Sequence, residues 1–69
     1  MTRDELNKVM QTNKTVLRSR DKQTFYILKV FECNGHFVVE FSKSKNRWTK
    51  RRRLCDLVSF CRKYEPKDK

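Results

Sequence analysis

The sequence predicts an α+β domain with an N-terminal helix, a three-stranded antiparallel β-meander and a C-terminal helix. Three observations predict it: a capping box ahead of an amphipathic start, an Asn-Gly pair between two β-rich runs, and a helical apolar repeat near the end of the chain. A chain of 69 residues holds one domain at most. We expect this domain to span residues 1–65 and to be followed by a frayed tail over residues 66–69.

The N-terminal helix is predicted over residues 3–12. Thr2 and Glu5 have the spacing of a capping box, in which each residue satisfies a backbone amide of the other. The apolar residues that follow repeat at helical spacing. They are Leu6, Val9 and Met10.

Three strands are predicted to follow this helix. Residues 14–20 form the first, and residues 21–23 its turn. Residues 24–33 and 36–44 form a hairpin around Asn34-Gly35, a pair typical of a type I′ turn. With that loop, paired positions sum to 69, so that opposite charges and apolar side chains meet across the strands. The predicted pairs are Lys29 with Glu40, Leu28 with Phe41, Val30 with Val39 and Phe31 with Val38.

The pleat gives the hairpin two faces. One is predicted to face the core and carries Tyr26, Leu28, Val30, Phe37, Val39 and Phe41. The other is mixed, and its Phe25, Lys29 and Phe31 resemble a platform on which the bases of a single strand stack. Because two helices are available, we expect one of them to cover this second face.

The C-terminal helix is predicted over residues 52–64, after a possible short strand at residues 46–50. Its apolar face consists of Leu54, Leu57, Val58, Cys61 and Tyr64. Pro66 is expected to end it. The order α-β-β-β-α is similar to that of double-stranded-RNA-binding domains, and the sheet followed by a helix is similar to the arm-binding domains of integrases. Both similarities concern topology and imply no function.

The charge of the chain is strongly positive and unevenly placed. Eighteen Lys and Arg residues face eight Asp and Glu residues, for a net charge of +10. Residues 43–53, the basic segment, hold seven cations and no acid. Cations neutralise phosphates and release their counterions, so we expect nucleic-acid binding, with RNA favoured over DNA. The expected phosphate contacts are Lys43, Lys45, Arg47, Lys50, Arg51, Arg52 and Arg53, with a possible second cluster at Arg18, Arg20 and Lys22.

Trp48 lies within the basic segment and has two alternative roles. An exposed indole there stacks on an unpaired base. A buried indole instead anchors the core, which the small size of the domain favours.

A second class of function stays open. The chain is alternatively a small inhibitor or adaptor, of the kind that viruses encode, whose basic segment docks in an acidic or nucleic-acid-binding groove of a partner protein. The two classes also combine in a protein that joins a protein–RNA complex.

Cysteine and histidine suggest no reactive site. Cys33 and His36 lie at a hairpin tip, whereas Cys55 and Cys61 are six positions apart, which on a helix separates them by about 120°. Zinc requires converging ligands. We therefore expect no metal and no cofactor, and so short a chain leaves little room for the cleft of an enzyme.

No membrane or export segment is expected. The first residues lack the apolar stretch of a signal peptide, and no apolar run approaches the length of a membrane span. The odd count of three cysteines does not suit a disulfide framework. We expect a cytoplasmic location, or a nuclear one in a eukaryotic cell through the basic run at residues 50–53.

Overall fold

The computed structural model describes residues 1–45 and 48–67. This part of the chain forms two helices on a five-stranded sheet with the order β4-β3-β2-β1-β5, in which all neighbouring strands are antiparallel. The α+β class with a helix near each end is confirmed, but the three predicted strands gain a further strand at each edge. The elements are α1 (Arg3–Gln11), β1 (Thr15–Arg18), β2 (Thr24–Cys33), β3 (His36–Ser42), β4 (Arg53–Asp56), α2 (Leu57–Lys63) and β5 (Tyr64–Pro66).

The first helix begins as predicted. The hydroxyl of Thr2 accepts a hydrogen bond from the amide of Glu5 at 3.2 Å, and the carboxylate of Glu5 accepts one from the amide of Thr2 at 3.0 Å. The capping box is therefore confirmed. Leu6 and Val9 are buried against the sheet.

The hairpin turn also forms as predicted. Asn34 and Gly35 have φ angles of 52° and 82°, which is the left-handed conformation that a type I′ turn needs at both positions. The pairing of Lys29 with Glu40 is confirmed, as are those of Val30 with Val39 and Phe31 with Val38. Near its tip the hairpin therefore has the predicted register.

Farther from the turn, a β-bulge changes the register. The pairing shifts between Ile27 and Lys29, so Leu28 is an extra residue and Phe41 pairs with Ile27. The predicted pair of Leu28 with Phe41 is therefore wrong. An extra residue also exchanges the two faces of the strand N-terminal to it.

Because the bulge exchanges the two faces of β2, the predicted core is partly wrong. Phe25 and Ile27 are buried, whereas Tyr26 and Leu28, predicted to be core residues, are only half-buried. Phe37 was also predicted to be in the core. It is 40% exposed, with the guanidinium of Arg3 at 4.9 Å from its ring centroid.

The predicted long C-terminal helix is wrong at its start. Residues 53–56 form β4 and pair with the free edge of β3. Asp56 then caps a shorter helix, and its carboxylate accepts a hydrogen bond from the amide of Ser59 at 3.1 Å. Leu54 and Val58, predicted on the apolar face, are each 64% exposed.

The chain leaves α2 earlier than predicted because residues 64–66 pair with β1. The structure shows only residues 15–18 of the predicted first strand as β1. Of the possible strand at residues 46–50, positions 46 and 47 lie outside the described residues, and the rest is not a strand. The boundary at residue 65 and the tail stay predictions, although Pro66 belongs to β5.

Both helices pack on the same face of the sheet, which we refer to as the helix face. One buried cluster joins them to four strands, and its members are Leu6, Val9, Val16, Phe25, Ile27, Val39, Phe41, Phe60 and Tyr64. The registers of the strands place a different set on the opposite, open face. That set includes Tyr26, Lys29, Phe31, Val38, Glu40 and Leu54.

We expect Gly35→Val to lower the free energy of unfolding by about 1–2 kcal/mol, because a side chain at this position has to adopt a left-handed conformation. A Cβ at Gly35 meets no atom within 4 Å, so the loss reports backbone strain and no clash. Urea unfolding measures it. Asn34→Asp is the control and should change the value by no more than about 0.5 kcal/mol. Equal stability of Gly35→Val and the parent would contradict the type I′ turn.

Candidate nucleic-acid interface

The basic segment connects β3 to β4 at one end of the sheet, and its side chains divide between the two faces. On the open face, the ammonium group of Lys45 lies 5.4 Å from the ring centroid of Tyr26. On the helix face, the charged groups of Lys43 and Arg53 lie 5.8 and 5.5 Å from the centroid of Phe25. The segment therefore brings positive charge to both sides of the sheet end.

Arg52 fixes part of this segment to the open face. Its guanidinium donates to the carboxylate of Glu40 at 3.3 Å and to the carbonyl oxygen of Thr49 at 3.1 Å. Glu40 is only 9% exposed, and a buried carboxylate needs such a partner. Arg52 therefore has a structural role, in addition to its predicted role in contacting phosphate. Lys50 and Arg51 are exposed, and Arg47 lies outside the described residues.

Trp48 is exposed over 79% of its surface, so the expectation that the small core buries it is wrong. It lies at a cleft of about 380 Å³ on the open face. The cleft is also lined by Leu28, Lys29, Glu40 and Arg52. The indole is therefore accessible to a planar ligand, beside two cations.

The expectation that a terminal helix covers the second hairpin face is also wrong, since both helices pack on the helix face. Tyr26 and Phe31 lie half-buried on the open face, about 14 Å apart along the strand. The ammonium group of Lys29, between them, lies 4.9 Å from the centroid of Phe31. Of the predicted platform, Lys29 and Phe31 are therefore accessible, whereas Phe25 is in the core and Tyr26 takes its place.

At the same end of the sheet, the helix face holds a cavity of about 690 Å³, which we refer to as the basic pocket. Phe41 and Tyr64 contribute to its aromatic wall. Five cationic residues line it from β1 and the turn after it, from β4 and from the end of α2. They are Arg18, Arg20, Arg53, Arg62 and Lys63.

The basic pocket joins the predicted second cluster to the basic segment. Arg18 and Arg20 come from that cluster and Arg53 from the segment. Lys22 is not among the pocket residues, and its ammonium group pairs with the carboxylate of Glu65. Arg62 and Lys63 were not predicted as site residues, because their place at a helix end already accounts for their charge.

The charge in the pocket is only partly neutralised. Arg18 makes a bidentate contact with Asp21 at 3.1 and 2.7 Å, which lowers the pKa of that carboxyl to about 2. Within the described ranges, no other acid pairs with a pocket cation. The pocket therefore has a strong excess of positive charge.

The cysteines and the histidine do not converge. Cys33 and His36 face each other across the exposed hairpin tip. Cys55 and Cys61 are half-buried elsewhere, and burial raises the pKa of both thiols, so they are protonated near neutral pH. The described part of the chain holds no group of three or more metal-ligating side chains.

The comparisons with known proteins identify no relative. No protein-family model, curated protein or solved structure matches this chain. Neither α1 nor α2, the helices that the structure describes, is long and apolar enough to cross a membrane.

The contact between Arg18 and Asp21 predicts a pH dependence. Because the pKa of Asp21 falls from 3.8 to about 2 on folding, the contact stabilises the protein fully above about pH 4 and is lost as the pH falls through 2. NMR titration of the carboxyl carbon should show this midpoint. Arg18→Gln should return the midpoint towards 3.8, whereas Arg20→Gln, the control, should move it much less. A midpoint near 3.8 in the parent protein would contradict the contact.

Proposed function

We propose that this protein binds single-stranded nucleic acid, RNA in preference to DNA, on the open face and the basic segment. The observation that carries the proposal is the exposure of Trp48 beside a sheet face that neither helix covers. A large aromatic side chain stabilises a small domain most when it is buried, so its place among cations on the surface suits an external planar ligand. Bases that stack on aromatic side chains are such ligands.

Cations near the aromatic side chains can neutralise the phosphates of a strand whose bases stack there. Lys29 and Lys45 lie beside aromatic rings on the open face, so a cation is close to each surface on which a base stacks. Lys50 and Arg51 are exposed in the same segment. Stacking on the rings and neutralisation of the phosphates then act on the same nucleotides.

A single strand suits this surface better than a duplex. In a duplex the faces of the bases are covered by their neighbours, whereas unpaired bases turn outward and stack on protein rings. Sequence-specific recognition of RNA mainly uses such unpaired bases, and comparison with single-stranded DNA of the same sequence decides the proposed preference for RNA.

A competition series tests the proposal directly. Trp48 is the single tryptophan, so quenching of its fluorescence reports stacking at one known position. Single-stranded RNA, duplex RNA, single-stranded DNA and duplex DNA of one sequence would be compared at two salt concentrations. We expect the single strands to bind more tightly than the duplexes. Tighter duplex binding would contradict the stacking role, and no binding near physiological salt would favour a protein partner for the basic segment.

Replacement of Trp48 measures the stacking contribution. Trp48→Ala should weaken single-strand binding by a factor of about 5 to 150, because one stacked base contributes about 1–3 kcal/mol. Trp48→Phe should keep most of the affinity. Val58→Ala is the control, since Val58 is an exposed apolar residue on α2 away from the open face. Equal affinities of the Trp48→Ala variant and the parent would exclude stacking on this residue.

The salt dependence of binding measures the phosphate contacts. Replacing both Lys50 and Arg51 by Gln should lower the slope of log affinity against log salt concentration by about 1.4, since each contact to a single strand contributes about 0.7. The control replaces Lys8 and Lys67 by Gln, which removes the same charge from exposed positions elsewhere. The same decrease in both variants would show that net charge, and not the basic segment, determines the slope.

A further inference from the structure

Cations from three separate parts of the chain lie around the buried ring of Phe25, and two of them, Arg18 and Arg53, also line the basic pocket. Measured to the ring centroid of Phe25, the guanidinium carbons of Arg18 and Arg53 lie at 5.1 and 5.5 Å, and the ammonium nitrogen of Lys43 lies at 5.8 Å. The ring itself is fully buried. Arg18 on β1, Arg53 on β4 and Lys43, directly after β3, are therefore brought to one ring by the pairing of these strands in the sheet.

Such an arrangement is electrostatically unfavourable without a counter-charge. Like charges that lie around one side chain repel each other, more strongly where protein replaces part of the water. Asp21 pairs with Arg18 and its charge also acts on Arg20, but in the described residues Arg20, Arg53, Arg62 and Lys63 make no ion pair with an acidic side chain. A bound anion would remove this repulsion.

The walls of the pocket indicate what kind of anion fits. Arginine pairs with phosphate in a bidentate manner, and three of the four cations without an acidic partner are arginines. Tyr64 adds a hydroxyl donor. Burial raises the pKa of this phenol, so the phenol keeps its proton. The nearby charges of Arg18 and Arg53 lower the same pKa, but their effect is smaller than that of burial.

The number of cations points to a multiply charged group. A phosphodiester within a strand has one negative charge, whereas a phosphomonoester has about −1.5 to −2 at neutral pH and a polyphosphate has more. Four cations without an acidic partner exceed what one diester neutralises. A phosphate at a strand end, or on a free nucleotide, matches them better.

We propose that the basic pocket binds a phosphomonoester or polyphosphate group, supplied by the end of the nucleic-acid strand that lies on the open face. The proposal rests on the function proposed above. The basic segment links the two sites, because Lys45 lies on the open face and Lys43, two residues before it, lies against the same Phe25 ring as the pocket residues Arg18 and Arg53. A strand can therefore follow the segment around the end of the sheet.

The experiment compares one short single-stranded RNA with four different ends: a 5′-hydroxyl, a 5′-phosphate, a 5′-triphosphate and a 3′-phosphate. We expect one phosphorylated end to bind about tenfold more tightly than the hydroxyl end. Replacing both Arg20 and Arg62 by Gln should abolish this preference, which is measured within the variant as the ratio of its affinities for the phosphorylated and hydroxyl RNAs, so that a general loss of affinity does not affect it. The variant with Lys8 and Lys67 replaced by Gln, which has the same net charge, should retain the preference.

Equal binding of all four RNAs by the parent protein would overturn the proposal, as would a preference that survives replacement of Arg20 and Arg62. The two proposals fail separately. Loss of stacking in Trp48→Ala should lower the affinity for all four RNAs and leave the preference for a phosphorylated end unchanged. If no RNA binds, the function proposed above is wrong, and NMR titration with pyrophosphate and a nucleoside triphosphate then tests the pocket. Shifts at the pocket amides that are lost in the variant would support a free phosphate ligand, and their absence would overturn the proposal.

Discussion

The stacking of Phe60 on Tyr64, with ring centroids 4.5 Å apart, joins α2 to the sheet. Phe25 and Phe41 pack edge-on against Tyr64 at 5.4 and 5.1 Å, so rings from β2 and β3 complete the cluster. Such contacts each contribute about 0.5–1.5 kcal/mol beyond the burial of the rings, which matters in a chain that buries little surface. This cluster and the residues around it hold both helices on the helix face. Neither helix therefore covers the open face.

Signals that act within a few residues allowed parts of the fold to be predicted. The capping box of Thr2 and Glu5 and the type I′ turn at Asn34-Gly35 are local, and the two-residue loop of that turn sets the register near it. Residues 25–28 are apolar without interruption, so alternation does not show which pair faces inward. The β-bulge at Leu28 determines which of these residues face the core, and it depends on packing between strands that are distant in sequence.

The strands at the two edges were missed for a related reason. Residues 54, 57 and 58 repeat with helical spacing, but residues 53–56 gain more from pairing with the exposed edge of β3 than from one additional helical turn. The basic segment was identified from its charge alone. The proximity of this segment to Arg18 and Arg20 could not be predicted, because contacts between distant segments of a sheet leave no local signal in the sequence. Trp48 was misplaced because Phe25, Phe41, Phe60 and Tyr64 already fill the core.

The placement of acidic residues explains how so much positive charge is held at one end of a small sheet. Among the described residues, a carboxylate contacts an arginine on each side of that end: Glu40 contacts Arg52 on the open face, and Asp21 contacts Arg18 at the basic pocket. These contacts orient two guanidinium groups and leave their neighbours without a counter-charge. The remaining repulsion lowers the stability of the folded chain. A polyanion that binds only the folded state would remove this repulsion and stabilise the fold, so the charges that weaken the free protein would favour the complex proposed above.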